Sequence, residues 1–160
     1  MRSGVRLGVD VGSVRVGVAT CDPSGLIATP ITTLRRGKND LEDLVALVTQ
    51  RDAIEVVVGL PTTLRGKPGP AAAVASAYAR ELAERLPVDV RMVDERFSTV
   101  GAQRDLRASG VDTRKGRSVI DQAAAVIILQ GALDTERSTG VPPGRLVGGG
   151  AGPSDRGQTQ

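Results

Sequence analysis

The hydrophobic period of this chain changes at about residue 40, and that change restricts the fold more than any single motif does. Before it, residues 5–10, 15–21 and 26–34 read as strands. The first is an apolar run; in the second, Val16, Val18 and Thr20 alternate against Arg15, Gly17 and Ala19. Asp22-Pro23-Ser24-Gly25 is a strong turn signal, and Pro30 marks a bulge or an edge position. After residue 40 the period becomes helical. Leu41, Leu44, Val45 and Val48 share one face over residues 40–50, and Val74, Tyr78, Leu82 and Leu86 recur every four residues over 70–86. Short apolar strands fall at 54–58 and 88–93. Ser98 can cap a short helix to Ser109, and Ser118 can cap a last helix over 119–133. The order β-β-β-α-β-α-β-α-α predicts an α/β fold. Its sheet would be mixed and five-stranded, a three-stranded antiparallel meander followed by two parallel strands, with helices on both faces. Strands 1, 4 and 5 would be parallel neighbours at its centre.

The length suits one domain, placed at residues 1–137. Residues 138–160 hold seven Gly and three Pro with few large apolar side chains, which predicts a disordered tail. No apolar run approaches the ~18 residues of a membrane span. The single cysteine, Cys21, and the absence of a targeting signal point to a reducing cytoplasm.

The chain has no histidine. That excludes Ser-His-Asp and Cys-His catalysis and the HExxH zinc helix, and one cysteine cannot supply a zinc site. With one Tyr, one Phe and no Trp, base stacking on rows of aromatics is poorly served as well. Carboxylates, water and hard divalent cations remain.

Ligands of open α/β sheets bind outside the carboxyl ends of the strands. There, strand 1 ends in Asp10, strand 4 in Gly59-Leu60-Pro61 and strand 5 in Asp94-Glu95. An acid closing an all-apolar strand must be paired or bound to a metal, and two such strands make a pattern. Spacing does not say which of Asp94 and Glu95 points inward. Asp121 is the third candidate. It stands three residues after Ser118, where a capping role at the helix start competes with a role in a metal cluster. The alanines that follow it place that helix close against a neighbour. Three converging carboxylates without His or Cys suit Mg²⁺ or Mn²⁺, two ions in a phosphodiester-cleaving site.

Charge is distributed unevenly. The whole chain carries a net charge of +3 from 21 basic residues, 18 of them Arg. Arg96, Arg104, Arg107, Arg114, Lys115 and Arg117 are opposed by only Asp105 and Asp112 between positions 96 and 117, and Arg65 and Lys67 can add to them. A basic segment beside an acidic cluster is what cleavage of a polyanion requires.

Four blocks of sequence then resemble a known family. They are Gly8-Val9-Asp10-Val11-Gly12-Ser13-Val14-Arg15-Val16-Gly17-Val18-Ala19, Val58-Gly59-Leu60-Pro61, Asp94-Glu95-Arg96-Phe97-Ser98-Thr99, and Asp121-Gln122-Ala123-Ala124-Ala125 with Ile128-Leu129-Gln130. Together they are similar to the YqgF (RuvX-like) family over residues 5–133, and they stand in family order. The resemblance implies a ribonuclease H-like fold related to RuvC-type Holliday-junction resolvases. It also implies a cytoplasmic nuclease acting in maturation of the 5′ end of pre-16S ribosomal RNA. By motif position it makes Asp10, Glu95 and Asp121 the acidic cluster, Asp94 the flanking acid and Arg96 a phosphate contact. Phe97-Ser98 departs from the family's usual aliphatic residue and Thr but keeps a β-hydroxyl.

Three readings follow. The first is a metal-dependent nuclease on structured RNA or branched DNA, as monomer or homodimer, with Asp10 shared between two ions and Glu95 and Asp121 each on one. The second is an actin/Hsp70-like phosphate-binding domain, which opens with a similar Asp-x-Gly turn but closes two such domains around its nucleotide. The third is a nucleic-acid-binding factor without cleavage activity. The carboxyl oxygens of Asp10, Glu95 and Asp121 approaching a common point would favour the first over the third.

Overall fold

A computed structural model describes residues 1–61, 69–95 and 114–147, with side chains from residue 119 onward in the last of these segments. The elements are β1 (Arg6–Val11), β2 (Arg15–Cys21), β3 (Ala28–Arg35), α1 (Asp40–Arg51), β4 (Glu55–Leu60), α2 (Pro70–Arg85), β5 (Asp89–Asp94), α3 (Arg114–Thr139) and β6 (Arg145–Leu146). The sheet runs in the order β3-β2-β1-β4-β5-β6. The meander pairs antiparallel, and β1, β4 and β5 are parallel neighbours at the centre.

The sheet therefore has six strands, where five were expected. The sixth, β6, pairs antiparallel with β5, Arg145 against Met92 and Leu146 against Arg91. It lies in the segment that composition assigned to the tail. Gly144 makes the return possible: its φ is +65°, and a side chain there would collide with the Met92 carbonyl. A two-residue strand flanked by Gly and Pro carries no periodic signal. The short helix expected over 98–109 and residues 148–160 of the tail lie outside the described residues.

Two aliphatic layers enclose the sheet. On one side Leu7, Val9, Val16, Val56 and Val58 pack against Leu44 and Val48 of α1 and Ala75, Tyr78 and Leu82 of α2. On the other, Ala19, Cys21 and Val57 pack against Ala124, Ala125, Ile128, Leu129 and Leu133 of α3. The alternation read along β2 is the alternation observed, valines toward α1 and α2, small residues toward α3. Pro30 sits on the edge strand and beside a register shift between Val18 and Ala19, so it marks both an edge and a bulge. The Asp22 turn closes as its residues predict. The Asp22 carboxylate accepts from the Leu26 and Ile27 amides at 3.0 and 2.8 Å and from the Ser24 hydroxyl. The Ile27 amide and then the Ser24 hydroxyl hold it at about 2, below the usual carboxylate range.

At the amino ends of β1 and β4 the α3 side of the sheet is charged. Arg6, Glu55 and Glu136 are buried there. Arg2 spans Glu136 and Glu55 at 2.8 and 3.1 Å, Arg6 meets Glu136 at 3.3 Å, and Arg91 meets Glu55 at 2.9 Å. This network fastens the end of α3 to β1, β4 and β5. It leaves the opposite end of the same face to a different set of charges.

Candidate functional site

That opposite end lies at the carboxyl ends of the parallel strands. Along β1 the inward valines take Leu7, Val9 and Val11 to the α1 and α2 side, so Gly8 and Asp10 face α3. Asp10 is only 1% exposed. Its cross-strand neighbour is Gly17, on the same face. A Cβ at Gly17 would run into the main-chain carbonyl of Asp121, so the missing side chain is what lets α3 approach β2 at this point. On the other flank, β4 pairs with β1 as far as Val9 and Val58, which puts Gly59 one step beyond, beside Asp10. A Cβ at Gly59 would stand 2.6 Å from Glu95 Oε2. The Glu95 carboxylate thus lies over the end of β4, buried at 7% exposure, while Asp94 is only half-buried at the end of β5. Of that pair, Glu95 is the residue that turns toward the α3 side.

Asp121, 2% exposed, comes from α3 itself. The helix begins at Arg114, not at residue 119. Ser118 therefore does not cap it, and Asp121 stands inside the helix rather than in its first turn. That removes the capping role that competed for this residue. Gln122 donates to the Thr33 hydroxyl at 3.1 Å, which fixes this part of α3 across β2 and β3. The Asp121 carboxylate accepts from Arg15 Nε at 2.9 Å.

The structure thus brings Asp10, Glu95 and Asp121 to one edge of one face. Among the described residues, no three acidic, Cys or His side chains stand close enough together to hold a metal ion. In chemical kind the donors fit a hard divalent cation. They are three buried carboxylates with no softer ligand among them, and the missing side chain at Gly59 leaves room for the Glu95 carboxylate. Beside Glu95 a cavity of about 280 Å³ opens between β5 and α3. Its walls, among them Val93, Ile128, Ala132 and Pro143, are too apolar to hold phosphate.

Of the basic residues expected to hold nucleic acid, Arg65, Lys67, Arg96, Arg104 and Arg107 lie outside the described residues. Arg114, Lys115 and Arg117 fall at the opening of α3, ahead of the described side chains. Among the described residues Arg15 reaches the acidic edge, and sequence reasoning did not single it out. A signal was present: Arg15 alternates with Gly17 and Ala19, and so shares their face.

The class of protein defined by this sheet order, with acids at the carboxyl edge of its parallel strands, is the ribonuclease H-like one. The fold is similar to that of a solved structure described as "T. thermophilus RuvC in complex with Holliday junction substrate". The TM-score is 0.53 at 14% identity, covering 85% of this chain and 97% of that one. The family model described as "RuvX: Holliday junction resolvase" matches residues 4–135, and the chain belongs to that family. Two curated relatives carry the name "Putative pre-16S rRNA nuclease". The one from Streptomyces coelicolor is 57% identical over 150 residues, 92% of this chain and 90% of its own length. The one from Thermobifida fusca is 53% identical over 157 residues, 93% of this chain and 99% of its own length.

Proposed function

We propose that this chain is a divalent-metal-dependent nuclease that hydrolyses phosphodiester bonds in the 5′-end maturation of pre-16S ribosomal RNA. The observation that carries the reading is the burial of Asp10, Glu95 and Asp121 along one edge of one sheet face, in a family whose relatives are named for that reaction. Gathering three buried carboxylates at one edge is costly, and a cation among them offsets that cost. Asp10, from the central strand β1, would be the shared ligand, with Glu95 and Asp121 holding the flanks and Asp94 at the rim. Bound Mg²⁺ or Mn²⁺, two ions in the full site, supplies Lewis-acid stabilisation of the phosphate and an activated water. The protein's part is to hold the three carboxylates on rigid elements and to keep positive side chains around them for the polyanion. The cytoplasm is the compartment where such a precursor is found.

Asp10→Asn should fold as the parent does and lose at least about a hundredfold in cleavage, because a metal-binding charge is removed with almost no change in shape. The assay compares a pre-16S 5′ precursor with a four-way DNA junction, each with Mg²⁺ and Mn²⁺. Undiminished cleavage by the folded variant would overturn the assignment. Preference for the junction would instead favour a resolvase, as the family description has it; symmetric cutting then requires a two-fold dimer, which sedimentation would show, whereas RNA trimming needs only a monomer. One observation favours a non-cleaving factor: the three acids do not form a closed ligand set among the described residues. Nucleic-acid binding without cleavage under every metal condition would establish that reading.

A further inference from the structure

The ion pair between Arg15 and Asp121 bears on how that centre is kept before it is used. Arg15 opens β2, and its side chain is 21% exposed, against 3% for that of Asp121. Its cross-strand partner on β3 is Arg35, so the two arginines project from the same face, with Arg35 exposed. Like charges placed opposite each other repel, and the Asp121 carboxylate offsets this for Arg15. Arg36, the next residue along the chain, is anchored on the opposite face. It donates to the Gly12 carbonyl at 3.3 Å and lies over the Tyr78 ring at 5.2 Å. Two arginines paired across neighbouring strands on the face of a buried acidic edge offer positive charge to a phosphate.

We propose that Arg15 is a positioning residue with two partners. In the metal-free chain it holds Asp121 as an internal counter-ion. When a divalent cation takes Asp121, the Arg15 guanidinium is released to a backbone phosphate of the nucleic acid, alongside Arg35. The inference rests on the reading of Asp121 as a metal-binding residue. Its physical basis is that a guanidinium and a divalent cation compete for one buried carboxylate. Occupation by metal turns a satisfied arginine into an unsatisfied one, and the incoming polyanion satisfies it. Arg15 would then couple metal loading to substrate binding, each favouring the other.

The test measures Mn²⁺ binding by calorimetry on the full chain without nucleic acid, and nucleic-acid affinity against salt by anisotropy with metal present. Arg15→Gln should bind Mn²⁺ about three- to tenfold more tightly than the parent, since a competitor is gone. Its nucleic-acid affinity should fall, with the salt slope shallower by about one charge. A merely structural role would weaken both. Arg15→Lys, which keeps the charge without the fork, should fall between the two, and Arg35→Gln should lose nucleic-acid affinity with Mn²⁺ binding unchanged. If Asp121→Asn loses Mn²⁺ while Arg15→Gln binds it no more tightly than the parent, the coupling is wrong and the metal site stands. If Asp121→Asn binds Mn²⁺ as the parent does, the metal reading fails and this inference fails with it.

Discussion

Gly17 and Gly59 show how much of the site depends on atoms that are not there. At Gly17 a methyl group would meet the main chain of α3 at Asp121, which cannot swing aside. Gly17→Ala should therefore destabilise the fold by about 1–3 kcal/mol, seen as a lowered urea midpoint. At Gly59 the same methyl group would meet Glu95 Oε2 and the tip of Ile128, both at the far ends of flexible side chains. Gly59→Ala should fold with a cost below about 1.5 kcal/mol but displace the Glu95 carboxylate, lowering cleavage by about tenfold to a hundredfold. A Gly59→Ala protein of unchanged activity would show that Glu95 need not stay where it is. The acids themselves were readable from the sequence because each closes an apolar strand or sits within a quoted motif. Spacing left Glu95 and Asp94 open because the two are adjacent, and only the family motif favoured Glu95; in the fold the position of Glu95 beside Gly59 separates them.

Among the elements, α3 does the most to join the molecule. Its small residues lie on the sheet, its early part carries Asp121, and its late part carries Glu136 into the charged network at the other end. Glu136 is held at about 2, below its ordinary value of 4.5, first by the hydrogen bond from Arg2. Because the folded value is the depressed one, this carboxylate stabilises the fold fully above about pH 4.5, and the contribution is lost as pH falls toward about 2. Glu136→Gln should cost about 3 kcal/mol at neutral pH by leaving Arg6 buried against a neutral partner. The difference from the parent should shrink steadily as acid denaturation is followed from pH 5 to about pH 2. A difference that did not change with pH would assign the loss to packing instead. The sequence predicted a helix here, but with its start at residue 119. Ser118 resembles an N-cap locally, yet helical hydrogen bonding continues through it from Arg114.

Across the whole molecule, charge is sorted along the α3 side of the sheet. At one end Arg and Glu neutralise each other. At the other lie three buried acids, one of which, Asp121, is paired with Arg15. No imidazole occurs anywhere in the chain. The cleavage rate measured from pH 5.5 to 9.5 should therefore show no inflection near ~6.5, the range in which histidine titrates. A clear inflection there would mean that a perturbed group of another kind controls the reaction. Among the described residues, no helix is long and apolar enough to cross a membrane.

The sequence by itself determined the order of the elements from β1 to β5, the meander and the parallel centre, and the type of chemistry open to a chain whose strands end in acids and which has no histidine. These follow from local periodicity and from residue identity, which need no partner to be read. Only the tertiary structure decided the sixth strand, the true start of α3, the inward turn of Glu95 and the grip of Arg15 on Asp121. The sixth strand, the turn of Glu95 and the grip of Arg15 each depend on contact between segments far apart in the chain: Gly144 against Met92, Gly59 against Glu95, Arg15 of β2 against Asp121 of α3. Whether two such segments meet is set by the packing of the whole sheet, and no window along the chain contains both members of the pair.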